Sequence, residues 1–110
     1  MAKPQNPRLE ITLSRGNEHT FLIFKGHAGA NKGSNVVCAA ISALILFFVK
    51  AGKEMGLLFY KAIVREGHAE LAWKEPAEPT LKKFTETFIR SLKEIAEENP
   101  QSVIFRTPDF

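Results

Sequence analysis

Sulfhydryl chemistry is nearly absent from this sequence, because Cys38 is its single cysteine. No internal disulfide can brace the fold, and residues 1–10 lack the apolar core of a secretory leader, so a reducing, cytoplasmic setting is expected. Charge of one sign is also in short supply. Fifteen Lys and Arg against twelve Asp and Glu leave a net +3. The basic residues are scattered rather than gathered into the stripe that follows a phosphate backbone, so no direct nucleic-acid binding is expected. Long apolar runs are missing as well. The longest, residues 36–49, has fourteen residues before Lys50 closes it, where a bilayer span needs about 20. It reads as a buried helix, with no membrane partner. Internal repeats and low-complexity segments are absent.

What is present suits one domain covering residues 1–110, with 45% apolar and 25% charged residues, enough for one core and too little for two. Leu9, Ile11 and Leu13 alternate with polar neighbours, the period of a half-buried strand. A turn follows, and then residues 21–24 (FLIF) run apolar on both faces. Such a strand is expected under a helix on one side and a partner chain on the other. Residues 57–75 predict two more strands, the second with Ala69, Leu71 and Trp73 facing inward. Leu81, Phe84, Phe88, Leu92 and Ile95 recur at spacings of three and four, which predicts an amphipathic helix ending at Asn99-Pro100. A short strand over 102–106 completes the order ββαββαβ. The fold class is therefore α+β, a two-layer sandwich of two helices on a mainly antiparallel sheet of about five strands.

Between the second strand and the first helix stand Gly26, His27 and Ala28, then a stretch rich in Gly and Asn that reads as a loop, and then Cys38, eleven residues after His27. Asn35, or Ser34, is placed to cap a helix running to about Met55. Cys38 would then be its third residue, where unpaired N–H groups and the helix dipole favour a negative charge. An imidazole brought back beside it could take the thiol proton and return it to a leaving amine. First-turn amides, with those of Gly29 or Gly33, could hold a tetrahedral oxyanion. The alternative is packing. Cysteine is among the most often buried residues, and a run of small side chains suits a helix laid on a sheet. Ser42, one turn beyond Cys38, reads as a hydroxyl bonded to a carbonyl one turn back.

Gly26, His27, Ala28, Val37, Cys38, Ala39, Ala40 and Ser42 together resemble the signature of the bacterial ribosomal-processing cysteine proteases, the Prp family. The resemblance implies a homodimeric α/β sandwich that removes an N-terminal extension from a large-subunit ribosomal protein. It implies Cys38 as nucleophile and His27 as base, with Gly26, Gly29, Gly33, Asn35 and Ser42 around them and no cofactor. The family pattern has an acidic residue three positions before the cysteine, where this chain has Asn35. A non-catalytic ribosome-associated binding module is the main rival reading, and a thiol redox sensor is a third. His19 and His68 fall in expected hairpin turns and read as exposed, the second within another Gly-His-Ala at 67–69 that has no helix-opening cysteine after it. Three histidines and one cysteine at these spacings resemble no metal site, so none is expected.

Overall fold

The computed structural model describes residues 8–27 and 32–108, with residues 32–35 described by their backbone alone. Its elements follow the expected order: β1 (Leu9–Arg15), β2 (His19–Lys25), α1 (Lys32–Met55), β3 (Phe59–Arg65), β4 (His68–Lys74), α2 (Pro79–Glu98) and β5 (Val103–Arg106). They form a five-stranded sheet in the order β3-β4-β2-β1-β5. All pairs are antiparallel except β1 with β5, which run parallel. The long α2 connection returns the chain to the far edge, which a parallel pairing requires.

Alternation decides which face of the sheet is buried. Leu9, Ile11 and Leu13 of β1, Leu22 and Phe24 of β2, and Ala69, Leu71 and Trp73 of β4 all point into the core with the two helices. At its centre Phe48 of α1 stacks on Phe88 of α2 with centroids 3.8 Å apart, and Trp73 meets Phe48 edge-on at 5.0 Å. Such pairs add specific geometry to the area they remove from water. Trp73 Nε1, buried among these rings, has no hydrogen-bond partner among the described residues. The two buried hydroxyls among those residues are satisfied, Thr20 by Glu75 and Thr85 by the carbonyl of Lys82.

The outer face of β2 is left uncovered within the chain, with Phe21 45% exposed, and Tyr60 of β3 is 54% exposed. Two expectations need correction. The helix α1 is not enclosed on all sides. Val37, Ile41, Ile45 and Phe48 form an inner stripe, whereas Val36, Leu46 and Phe47 stand 69%, 57% and 64% exposed. Its apolar stretch is also longer than the fourteen residues of the unbroken run. The segment Val36–Met55 has the length and composition to cross a bilayer, although its inner stripe is committed to the sheet rather than to lipid.

Candidate active site

The end of β2 is shaped by glycine. Gly26 has φ +93°, and a Cβ there would lie 2.8 Å from the carbonyl oxygen of Arg8, so no other residue fits without moving backbone. Its N–H donates to the carbonyl of Gly67 at 3.0 Å, tying the end of β2 to the turn between β3 and β4. His27 follows on the exposed rim. Its ring lies against that same turn, since a Cβ on Gly67 would come within 2.9 Å of His27 Nε2.

Cys38 arrives from the other side, on α1, half-buried against the core cluster. A cavity of about 230 Å³ lies between these elements, with Gly26 and His27, Cys38 and Ser42, and Gly67 and His68 on its wall. Leu9, Phe24 and Ile41 also line it. Its apolar side lowers the local dielectric, so charges formed beside it interact more strongly than in bulk water. The eleven-residue excursion thus returns Cys38 to the cavity that His27 lines, as the sequence allowed.

The helix start differs from expectation. Because α1 begins at Lys32, Ser34 and Asn35 stand inside its first turn and do not cap it. The apolar run marks where the helix becomes buried rather than where it begins, and a first turn tolerates poor helix formers because its N–H groups lack intrahelical partners in any case. Cys38 is consequently the seventh helical residue, past the first turn in which the dipole acts on a neighbouring charge. Gly33 belongs to that first turn, and Gly29 lies outside the described residues. Ser42 is exposed on the cavity wall one turn beyond Cys38.

Sequence reasoning missed His68. It opens β4 rather than sitting in the turn, and pairs across the sheet with Lys25. The antiparallel register of β2 and β4 thereby brings the two Gly-His segments side by side at one cavity. His68 Nε2 lies 3.0 Å from a Glu70 oxygen, and Lys61 reaches the other Glu70 oxygen at 3.3 Å. These bonds, that of His68 foremost, hold the Glu70 carboxyl below its ordinary pKa. The repeated tripeptide was the available signal, but only strand pairing gives it meaning. His19, the first residue of β2 and at the end away from His27, meets the Tyr60 ring at a tilt, with centroids 4.8 Å apart. Among the described residues no three His, Cys, Asp or Glu side chains gather as metal ligands.

Comparison with known proteins agrees with this architecture. The ribosomal processing protease Prp of S. aureus, solved with a covalently linked product peptide, superposes with a TM-score of 0.76 at 20% identity, over 91% of this chain and 99% of that one. The same protease with a substrate peptide gives 0.77 at 19% identity with the same coverage. The protein SMU.848 of Streptococcus mutans gives 0.68 at 21%, over 91% of this chain and 93% of that one. At such identities the likeness is one of fold. No curated protein matches the chain in sequence. The sequence profile of the cysteine protease Prp matches residues 8–104, and with nearly the whole domain inside that match, the chain belongs to the Prp family of cysteine proteases.

Proposed function

We propose that this chain is a cysteine endopeptidase using Cys38 and His27, and that it removes an N-terminal extension from a large-subunit ribosomal protein. One observation carries the assignment of residues: His27, from the end of β2, and Cys38, from α1, line a single cavity. His27 takes the Sγ proton and Sγ attacks the peptide carbonyl. The C–N bond of the resulting tetrahedral intermediate breaks, and the leaving amine departs with the proton from His27, leaving a thioester on Cys38. Water then adds to the thioester carbon, giving a proton to His27. The C–S bond breaks to release the acid, and the proton returns to sulfur. Backbone N–H groups in the first turn of α1, Gly33 among them, are the donors this reading assigns to the oxyanion. With Cys38 beyond that turn, the reading relies on His27 more than on the helix dipole to activate the thiol. No cofactor takes part.

The ribosomal substrate is supported by family membership and by the S. aureus relative, a ribosomal processing protease held with substrate and product peptides. A cytoplasmic setting is part of the same reading, and so is a homodimer, which the uncovered apolar side of α1 supports. The test is to incubate the protein with a large-subunit ribosomal protein carrying its N-terminal extension and follow the new N-terminus by mass spectrometry. Cleavage by the native protein and by His68→Ala, but not by Cys38→Ala or His27→Ala, is expected. If His27→Ala and His68→Ala cleave equally well, the assignment of His27 fails.

A non-catalytic ribosome-associated module has one observation in its favour, the ring cluster in which half-buried His19 meets the exposed Phe21 and Tyr60. Absence of cleavage at stoichiometric protein, with ribosome binding intact, would favour it.

A further inference from the structure

Three described glycines have positive φ, and two of them make a natural contrast. Gly56, at the end of α1, has φ +95° and nothing within 4 Å of a built Cβ. Gly67, between β3 and β4, has φ +74°, and its built Cβ would meet three atoms of the His27 ring, Nε2 at 2.9 Å, Cε1 at 3.3 Å and Cδ2 at 3.8 Å. Backbone conformation explains glycine at both positions. Contact with an imidazole is an additional demand made only at Gly67. The same residue also receives the N–H of Gly26 at 3.0 Å, so it fixes the backbone just before His27 as well as bounding its ring.

We propose that Gly67 is a positioning residue, and that the β3–β4 turn is the seat that sets where the His27 ring stands in the cavity. This rests on the reading of His27 as the base. A real Cβ is essentially never found 2.9 Å from such an atom, so one of the two must move. His27 is exposed and its ring is the free end of a side chain, so the ring yields and the turn does not. The cost therefore falls on turnover rather than on folding. A base moved by about an ångström loses roughly tenfold to a hundredfold in rate, because proton transfer needs hydrogen-bond geometry. The second Gly-His-Ala thus belongs to the site through its glycine, while its histidine is held by Glu70.

The experiment compares matched substitutions in the full chain, with peptides tiling the ribosomal extension as substrate and iodoacetamide as probe of Cys38. Gly56→Ala and Gly67→Ala carry the same kind of backbone strain and should lower the thermal midpoint similarly. Only Gly67→Ala should lose kcat, by about tenfold to a hundredfold, with KM within about threefold. Gly67→Asn separates strain from contact, since Asn tolerates positive φ yet still has a Cβ. It should recover most of the midpoint and little of the turnover. Its pH profile of Cys38 alkylation should move toward that of His27→Ala, with Gly56→Asn unmoved from the native protein. If His27→Ala is inactive but Gly67→Ala and Gly67→Asn turn over within twofold of their Gly56 counterparts, the seat is overturned and the base stands. If His27→Ala itself keeps native turnover, the base is overturned, and the positioning role goes with it.

Discussion

The two helices pack on the same sheet face, yet their free surfaces differ completely. The N-terminus of α2 is capped by Glu78, whose carboxylate accepts the N–H groups of Thr80 and Leu81 at 3.0 Å each, and Pro79 stands where no N–H is needed. Its end is closed by Asn99, whose side-chain Nδ2 donates to the carbonyl of Ile95 at 2.9 Å. Its outer side is polar and joined to the sheet by a bidentate Arg15–Glu86 pair with a shorter bond of 2.8 Å. The longer α1 exposes Val36, Leu46 and Phe47, and carries Cys38 and Ser42 on the cavity wall. The caps and outer face of α2 serve the fold. The exposed apolar side of α1 is a departure that packing within the chain does not explain.

The largest effect should come from removing the site on α1. Cys38→Ala is expected to lower turnover on the order of 10³-fold or more while the thermal midpoint stays within a few degrees of the native value. Residual turnover near the native level would return Cys38 to the packing role.

The inner faces should behave alike despite the outer contrast. Phe48→Ala in α1 and Leu92→Ala in α2, at 1% and 0% exposure, should each cost roughly 2–5 kcal/mol in urea unfolding, because both leave a cavity in one shared core. A cost below about 1 kcal/mol at Phe48 would mean that α1 is not anchored as α2 is.

The outer faces should then separate the helices. Phe47→Asp is expected to leave dilute-solution stability within about 0.5 kcal/mol, as befits an exposed position, and to convert a dimer to a monomer in light scattering. A native protein that is already monomeric at micromolar concentration would remove dimerisation as the reason for the exposed apolar face.

The smallest effect belongs to the α2 cap. Bonds to the N–H groups of Thr80 and Leu81 hold the Glu78 carboxyl below its ordinary pKa. Its contribution is therefore present above the unfolded-state value and fades as pH falls through the folded one. Glu78→Gln should be slightly less stable than the native protein at neutral pH, with the difference closing in acid. A difference independent of pH would show that the cap acts without its charge.

Much of this architecture could be read from the residues because one-sided burial leaves a mark on sequence. The alternation around Ile11 and Leu71 and the three-four spacing from Leu81 to Ile95 each announce a buried face. Features set by distant partners left no such mark. Residues 21–24 are apolar throughout, so their pattern could not tell that Phe21 faces outward uncovered. After Lys32 the first turn of α1 is built from Gly33, Ser34 and Asn35, poor helix formers that hid its start. His68 enters the cavity only because β2 and β4 pair in the register Lys25 to His68. The convergence of His27 and Cys38 was legible as an opportunity, since a strand leading through a glycine-rich excursion to a packed helix can bring its ends together.

The parallel contact between β1 and β5 also bears on the order in which the cavity is assembled. Leu9, on the cavity wall, pairs with Val103 near the end of the chain, and Gly67 comes 29 residues after Cys38. A polypeptide growing from its N-terminus thus presents thiol and imidazole well before the hairpin beside them exists, and before the strand that pairs with β1. Contacts between such distant segments form only once the intervening chain is available. Synthesis itself thus orders the assembly: the cavity wall that holds Gly67 and His68 is made after Cys38, and the strand partner of Leu9 later still.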